Sequence, residues 1–320
     1  MTLVSAIIPT IRRPLLLHRA LASIFAQTHH NLEAIVVIDG PDPETVATLR
    51  QIDDPRLRVL QNQHSLGPGG ARNAGAVLAK GEWLAFLDDD DEWLPEKLAC
   101  QLAVASVDQD VLICCRSRVI TPHATYEWPR RLYDGVTPVD EYLWRRRSLF
   151  QGEAYIATGS FVIPRRLFLR TQFGSTPQNE DSTLMLRVTK QAGGRIVMVP
   201  GVLVVIHADD PKNSVGRNFI WRDCLAWLDS MGDLITRRAY SGFCLVILAS
   251  QAKRRADYAG LGLLFRRAFA RGHPTLVQLA LFTAFFLIPM DLRQRVGAWV
   301  QTLSGASRSA FTAERHADSK

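Results

Sequence analysis

Cysteine is scarce in this chain and shows no pairing pattern. Five occur in 320 residues, Cys100, Cys114, Cys115, Cys224 and Cys244, with no Cys-x-x-Cys spacing. An odd set without that spacing argues against a disulfide framework or a zinc site, and it fits a reducing cytoplasm. Long apolar runs are missing as well. Residues 240–249 and 275–290 are strongly apolar, but Gln278 interrupts the second. Neither reaches the roughly 18 uninterrupted residues expected of a spanning helix. Residues 1–9 have no basic leader and only a short apolar run before Pro9, which reads as no signal peptide. There is no internal repeat, no Walker loop and no GxGxxG fingerprint. The net charge of +7 is modest. It suits an anionic partner without choosing between a nucleotide and a membrane face. Nucleic acid is not expected as a partner, because no recognised module is present.

What is present is a globular composition, 47% hydrophobic and 22% charged, organised around one stretch. The apolar run Trp83-Leu84-Ala85-Phe86-Leu87 ends in four consecutive carboxylates, Asp88 to Asp91, followed by Glu92-Trp93-Leu94-Pro95. Crowded like charges repel, and burial raises their pKa values. A hard cation such as Mg2+ or Mn2+ relieves both by sharing carboxylate and phosphate oxygens. An acidic, solvated loop capping the next helix would give the same string. Its position just past the carboxyl end of a buried strand favours a ligand site, since open α/β sheets bind there.

The pattern before it predicts alternating strands and helices: strands over 3–8, 32–38, 57–60 and 83–87, helices over 14–27, 44–52 and 71–80. That order implies a parallel sheet with helices on both faces and right-handed crossovers. Asp39 lies just beyond one strand end as Asp88 does beyond another, so both could face one cleft. The glycine-rich loop 65–70 leads into a predicted helix start bearing Arg72 and Asn73, a place that favours an anion. Taken alone, the loop reads more readily as a tight turn with an ordinary surface arginine.

Past residue 108 the expected elements are a strand over 111–115, a long irregular segment over 121–138, a short helix over 139–147 and a strand closing residues 155–163. Loops of that length are often binding loops or lids. Glu180-Asp181 opens a predicted helix. Acids in a first helical turn commonly offset its dipole, and a carboxylate there could also be a general base. Two apolar strands, 195–200 and 202–206, end at His207, which reads as structural or as a metal ligand.

Together these motifs resemble the inverting family 2 glycosyltransferases of GT-A fold, over residues 5–207. Ser5-Ala6-Ile7-Ile8-Pro9-Thr10 with Arg13-Pro14 resembles the family's opening strand, and residues 21–27 with Asn31-Leu32-Glu33 its following segment. Ala71-Arg72-Asn73-Ala74-Gly75 is similar to its nucleotide-side helix, Asp88-Asp89-Asp90 to its DxD motif and Glu180-Asp181 to its ED motif. The resemblance implies a Rossmann-like mixed sheet and a nucleotide-sugar donor, a UDP-sugar first of all. It implies a glycan or lipid-linked acceptor and Mg2+ or Mn2+ as cofactor. Pro9, Thr10, Arg12 and Asp39 would lie on the nucleotide side, with Arg72 near the base or diphosphate. Asp88 and Asp89 would contact the ribose and phosphate side. Asp90 would bind the metal, joined by His207. Gly159, Ser160 and Glu180 would lie on the acceptor side, and Asp181 would be the catalytic base. Ile11 stands where the family often has tyrosine, and Ile38-Asp39 where it often has paired aspartates.

A nucleotidyltransferase would need a basic, glycine-rich signature near the first strand, and residues 9–13 offer none. A non-catalytic nucleotide-sugar or glycan-binding module is the alternative from another class. Retention of both Asp90 and Asp181 argues against it. The expected organisation is a GT-A domain over 1–212, a helical region over 213–303 that binds an anionic membrane surface, packs on the catalytic domain or forms a homodimer, and a frayed tail over 304–320. The expected location is the cytoplasm, at the inner face of the cell membrane if the helices dock there.

Overall fold

The computed structural model describes residues 2–148, 154–176, 178–208 and 220–287. The expected tail 304–320, and residues 213–219 and 288–303 of the expected helical region, lie outside them.

The chain opens as the alternation predicts. Strand β1 (Val4–Thr10) leads to α1 (Pro14–Phe25), β2 (Leu32–Ile38), α2 (Pro43–Leu49), β3 (Leu57–Gln61), α3 (Gly67–Leu78) and β4 (Trp83–Phe86). Strands β3, β2, β1 and β4 pair in that order, all parallel. The period-two geometry of a strand sorts the core into two layers. Val4, Ala6 and Ile8 of β1, with Leu32, Ala34 and Val36 of β2, share one cluster with Leu17, Leu21 and Ile24 of α1. Ile7 and Val37 point the other way and meet α3. There a Cβ on Gly75 would come within 2.7 Å of Ile7 and 2.9 Å of Val37, so only glycine lets α3 lie this close.

The second half makes the sheet mixed. After β5 (Glu92–Trp93) and α4 (Lys97–Leu102) come β6 (Val111–Ile120), β7 (Thr125–Trp128), α5 (Val139–Trp144), β8 (Val162–Pro164), α6 (Arg165–Thr171), α7 (Glu180–Leu186), β9 (Arg195–His207) and α8 (Trp221–Ser230). Strand β8 joins β4 antiparallel, and the order continues β6, β9, β5, with β7 paired to β6. Residues 195–206 form one strand rather than two. The break expected at Pro200-Gly201 is absorbed as a shift of register against Cys115–Ser117 of β6.

Two compact units result, Met1–Leu143 with Ala154–Thr236, and Trp144–Glu153 with Arg237–Lys320. Helix α8 belongs to the first, where Trp227 Nε1 donates to Thr183 Oγ1 at 3.0 Å. In the second, α9 (Arg237–Gly242) runs through a π-turn into α10 (Ala249–Arg254), followed by α11 (Tyr258–Arg271) and α12 (Leu276–Leu287). Among the described residues no helix is long and apolar enough to cross a membrane.

Candidate active site

The carboxyl ends of β1, β2 and β4 bring the acidic loop together with residues far away in sequence. Thr10, the last residue of β1, donates its hydroxyl to Asp89 Oδ2 at 2.7 Å. Arg13 Nη1 lies 3.2 Å from both Asp89 Oδ1 and Asp90 Oδ2. Arg19 reaches the Asp90 backbone carbonyl and stands 3.6 Å from Glu92 Oε1. Strand β5 then ties the loop's far side to β9. Asp91 accepts the His207 backbone N–H at 3.0 Å, and His207 Nε2 sits 2.7 Å from Glu92 Oε1.

Arg72 occupies the centre of the opposite face. It is buried, with its guanidinium 5.3 Å from the Phe173 ring. The ring belongs to a cluster with Phe86 and Phe168. Nη2 pairs with Asp88, and Nη1 lies 3.7 Å from Glu180 Oε1. Arg72 therefore bridges the acidic loop after β4 and the acid pair opening α7. Asn73 fixes the same approach, because its amide exchanges two hydrogen bonds with the Phe173 backbone. Arg72 Nε and Nη1 and Glu180 Oε2 are buried without a hydrogen-bond partner among the described residues.

Burial sets the electrostatics. It pushes Asp89 up to about 6, with Asp90 and Asp88 adding repulsion against the Thr10 hydrogen bond and Arg13. Asp90 and Asp91 are raised for the same reasons, burial first and then Asp88. Asp181 is also lifted to about 6, by burial and the neighbouring Glu180, against hydrogen bonds from Ser182 and the charge of Arg72. Burial holds the Tyr155 hydroxyl up, and the charges of Asp181, Asp91 and Asp88 add to this in that order. Among the described residues no three His, Cys, Asp or Glu side chains form a set able to hold a metal by themselves.

Several sequence expectations land differently in detail. Helix α3 begins at Gly67, four residues before the expected start, because Gly67 takes a φ of +73° that turns the chain into it. Arg72 thus lies in the second turn, not at the helix mouth. The mouth is closed by Asp39, whose carboxylate accepts from Asn62, Ser65 and the backbone N–H groups of Leu66 and Gly67 at 2.7–2.9 Å. Arg12 has a left-handed φ of 55°, and its backbone N–H donates to Asp42. Pro9 is inside β1, paired with Val37. Gly159 accepts Trp93 Nε1 through its carbonyl at 2.8 Å. Ser160 is fully buried, its hydroxyl spent on the Ala157 carbonyl. Arg13, Arg19 and Asp91 belong to the site although the sequence does not single them out. The first two sit on α1 and its approach, where arginines read as surface charge, and Asp91 looked like one more acid in a run.

Comparison with known proteins agrees with this architecture. A model of glycosyl transferase family 2 matches residues 5–171. The chain is 26% identical over 304 residues to the succinoglycan biosynthesis protein ExoO of Rhizobium meliloti, covering 85% of this chain and 84% of that one. It is 33% identical over 102 residues to WfgD of Escherichia coli, a UDP-Glc:alpha-D-GlcNAc-diphosphoundecaprenol beta-1,3-glucosyltransferase, covering 32% of this chain and 40% of that one. Among solved structures, Staphylococcus aureus TarS 1–349 in complex with UDP-GlcNAc superposes with a TM-score of 0.57 at 15% identity, covering 85% of this chain and 74% of that one. That likeness is one of fold, the GT-A arrangement with a helical C-terminal region.

Proposed function

Because the chain belongs to glycosyl transferase family 2, and is thus a glycosyltransferase, we propose that it moves a sugar from a nucleotide-diphosphate donor to a hydroxyl of a glycan or lipid-linked acceptor in surface polysaccharide or glycolipid synthesis. The observation that carries this reading is the bridge made by Arg72 between Asp88 and Glu180. It sets a buried cation and a raised carboxylate, Asp181, in one electrostatic neighbourhood. Transfer from a diphosphate needs both. The leaving group gains negative charge, which a cation stabilises, and the acceptor hydroxyl must lose a proton to a base. The activity of WfgD, from a UDP-sugar to a lipid-diphosphate acceptor, supports the same substrate classes here, and a lipid-linked acceptor would bring this enzyme to the inner face of the cell membrane.

In this reading Arg72 faces the diphosphate, and Thr10 and Arg13 hold Asp89 and Asp90 in place. The acceptor oxygen attacks the anomeric carbon from the face opposite the diphosphate. One C–O bond forms as the C–O bond to phosphate breaks, and Asp181 takes the hydroxyl proton. A single displacement inverts the anomeric centre. Oxocarbenium character develops at the sugar, as in glycoside hydrolysis.

The donor set fits Mg2+ or Mn2+. Such ions are held through one or two carboxylates and complete their shell with water and substrate phosphate. The crowded carboxylates of the loop after β4, raised by burial and by Asp88, offer such oxygens. Asp90 would hold the ion, and His207 would join it through Nδ1 while Nε2 stays on Glu92. A bound divalent cation would supply positive charge to the leaving diphosphate.

The test is a thermal-shift panel of UDP, GDP, dTDP, ADP and CDP, each with and without Mn2+. A ligand bound only by the folded state raises its melting temperature by mass action. A metal-dependent rise with one nucleotide is expected, UDP first. No rise with any of them, together with no transfer or donor hydrolysis, would overturn the reading.

A further inference from the structure

We propose that the exposed face of α11 docks the protein on an anionic lipid bilayer. Tyr258, Phe265 and Phe269 fall on one side of this helix, at spacings of seven and four residues, and are 59%, 39% and 50% exposed. Gly262, between them, leaves the stripe unobstructed and meets nothing within 4 Å. The aromatics are mounted rather than loose. Phe265 stacks on Phe269 at 4.9 Å and on the buried Phe282 of α12 at 5.5 Å. Leu276, at the start of α12, is exposed too.

Charge selects the occupant. Between residues 237 and 287 there are eight arginines and lysines against one acid, Asp257, whose side chain caps α11 through Gly260 N–H. Arg254 and Arg255 are exposed at the Tyr258 end, and Arg266 is exposed beside Phe265. Lys253 Nζ lies 4.9 Å over the Tyr258 ring. Aromatics that enter the headgroup boundary, edged by cations that meet anionic lipid, are the recognised form of an interfacial helix. A second copy of the chain fits poorly, because two-fold pairing would set these arginines against their own images. Residues 288–320 also carry more basic than acidic side chains and so offer no charge complement.

Flotation of the full chain with lipid vesicles tests this without any donor or acceptor. Vesicles of phosphatidylcholine with phosphatidylglycerol are expected to carry the protein up at low salt, and phosphatidylcholine alone is not. Raising the salt should release it, since surface attraction is screened within a Debye length. Tyr258→Ser with Phe269→Ser, and separately Arg254→Glu with Arg255→Glu and Arg266→Glu, should each lower the bound fraction about tenfold. Both variants should keep the wild-type melting temperature and nucleotide response. Absence of flotation, or equal flotation of wild type and both variants, overturns the proposal. So does a wild-type dimer that either variant dissolves without changing flotation, or retention on an oligonucleotide with no flotation. The nucleotide panel reads the transfer site independently, so the two readings fail separately.

Discussion

Arg72 is ion-paired with Asp88, the arginine buried and the carboxylate at the edge of solvent. The pair joins α3 to the loop after β4, and the same guanidinium stands 3.7 Å from Glu180. Taking away the cation would leave Glu180 largely buried without compensation. Breaking a buried pair from one side costs about 3 kcal/mol. Arg72→Met is therefore expected to lower the stability measured by urea unfolding by about that amount and to abolish the nucleotide-induced thermal shift. Arg72→Lys restores the charge but not the planar fork that reaches both acids, and should recover stability only in part. A Met variant as stable as the parent would remove Arg72 from the centre of the site.

Asp90 gives a prediction with two signs. Burial raises its pKa first of all, and Asp88, Asp89 and Asp91 repel it against the pull of Arg13. Asp90→Ala should leave the ligand-free melting temperature unchanged or higher. If Asp90 holds the cation, the Mn2+-dependent part of nucleotide binding should weaken about tenfold or more. Titration of nucleotide at fixed Mn2+ reads this directly. Unchanged affinity would move the metal contact elsewhere on the loop.

Lys97 is fully buried with no hydrogen-bond partner among the described residues, its ammonium 4.2 Å over the Trp93 ring. Burial lowers its pKa from 10.5 to about 8, only partly offset by Cys115 and Cys114. Below pH 8 both folded and unfolded chains carry the proton, so the penalty for burying the charge is fully present. Between 8 and 10.5 the unfolded chain binds more protons, and stability rises with pH. The penalty is about 3 kcal/mol at neutral pH, less about 1 for the ring contact. Lys97→Met should stabilise the fold at pH 7 by about 2 kcal/mol and flatten the rise above pH 8. Denaturant midpoints at pH 7 and 10 decide it.

The parallel half of the sheet was legible because β1, β2 and β4 are buried apolar runs closed by Pro, Asp or Gly; β3, only half-buried, was legible from the short run Leu57 to Leu60 between two helical segments. Strand β5 was not, since Glu92-Trp93 is two residues long and exists only by pairing with Val204 and Val205. The acidic loop and the Glu180-Asp181 pair were found as motifs, but their connection was not. It runs through Arg72, which a sequence shows as one arginine in a helix and the fold shows as buried between two acid sites. Asp39 was visible as an acid at a strand end. That it caps α3 depends on Gly67 turning the chain four residues earlier than hydrophobic periodicity suggests.

Two carboxylates, Asp181 and Asp89, are held near 6, and the pH dependence of transfer can tell them apart. A general base must be ionised to accept a proton, so kcat/KM should rise with pH through about 6 and level off above it. If Asp181 is that base, Asp181→Asn lowers the rate by about 10²–10⁴, and the limb near 6 disappears from what activity is left. Donor binding, read by thermal shift with UDP and Mn2+, should persist, because Asp181 bonds only to Ser182 among the hydrogen bonds described. Asp89→Asn keeps an oxygen for the Thr10 hydroxyl and should leave the limb in place while weakening donor binding. A limb that survives in Asp181→Asn at near-parental rate would assign it to Asp89 and remove Asp181 from the proton transfer.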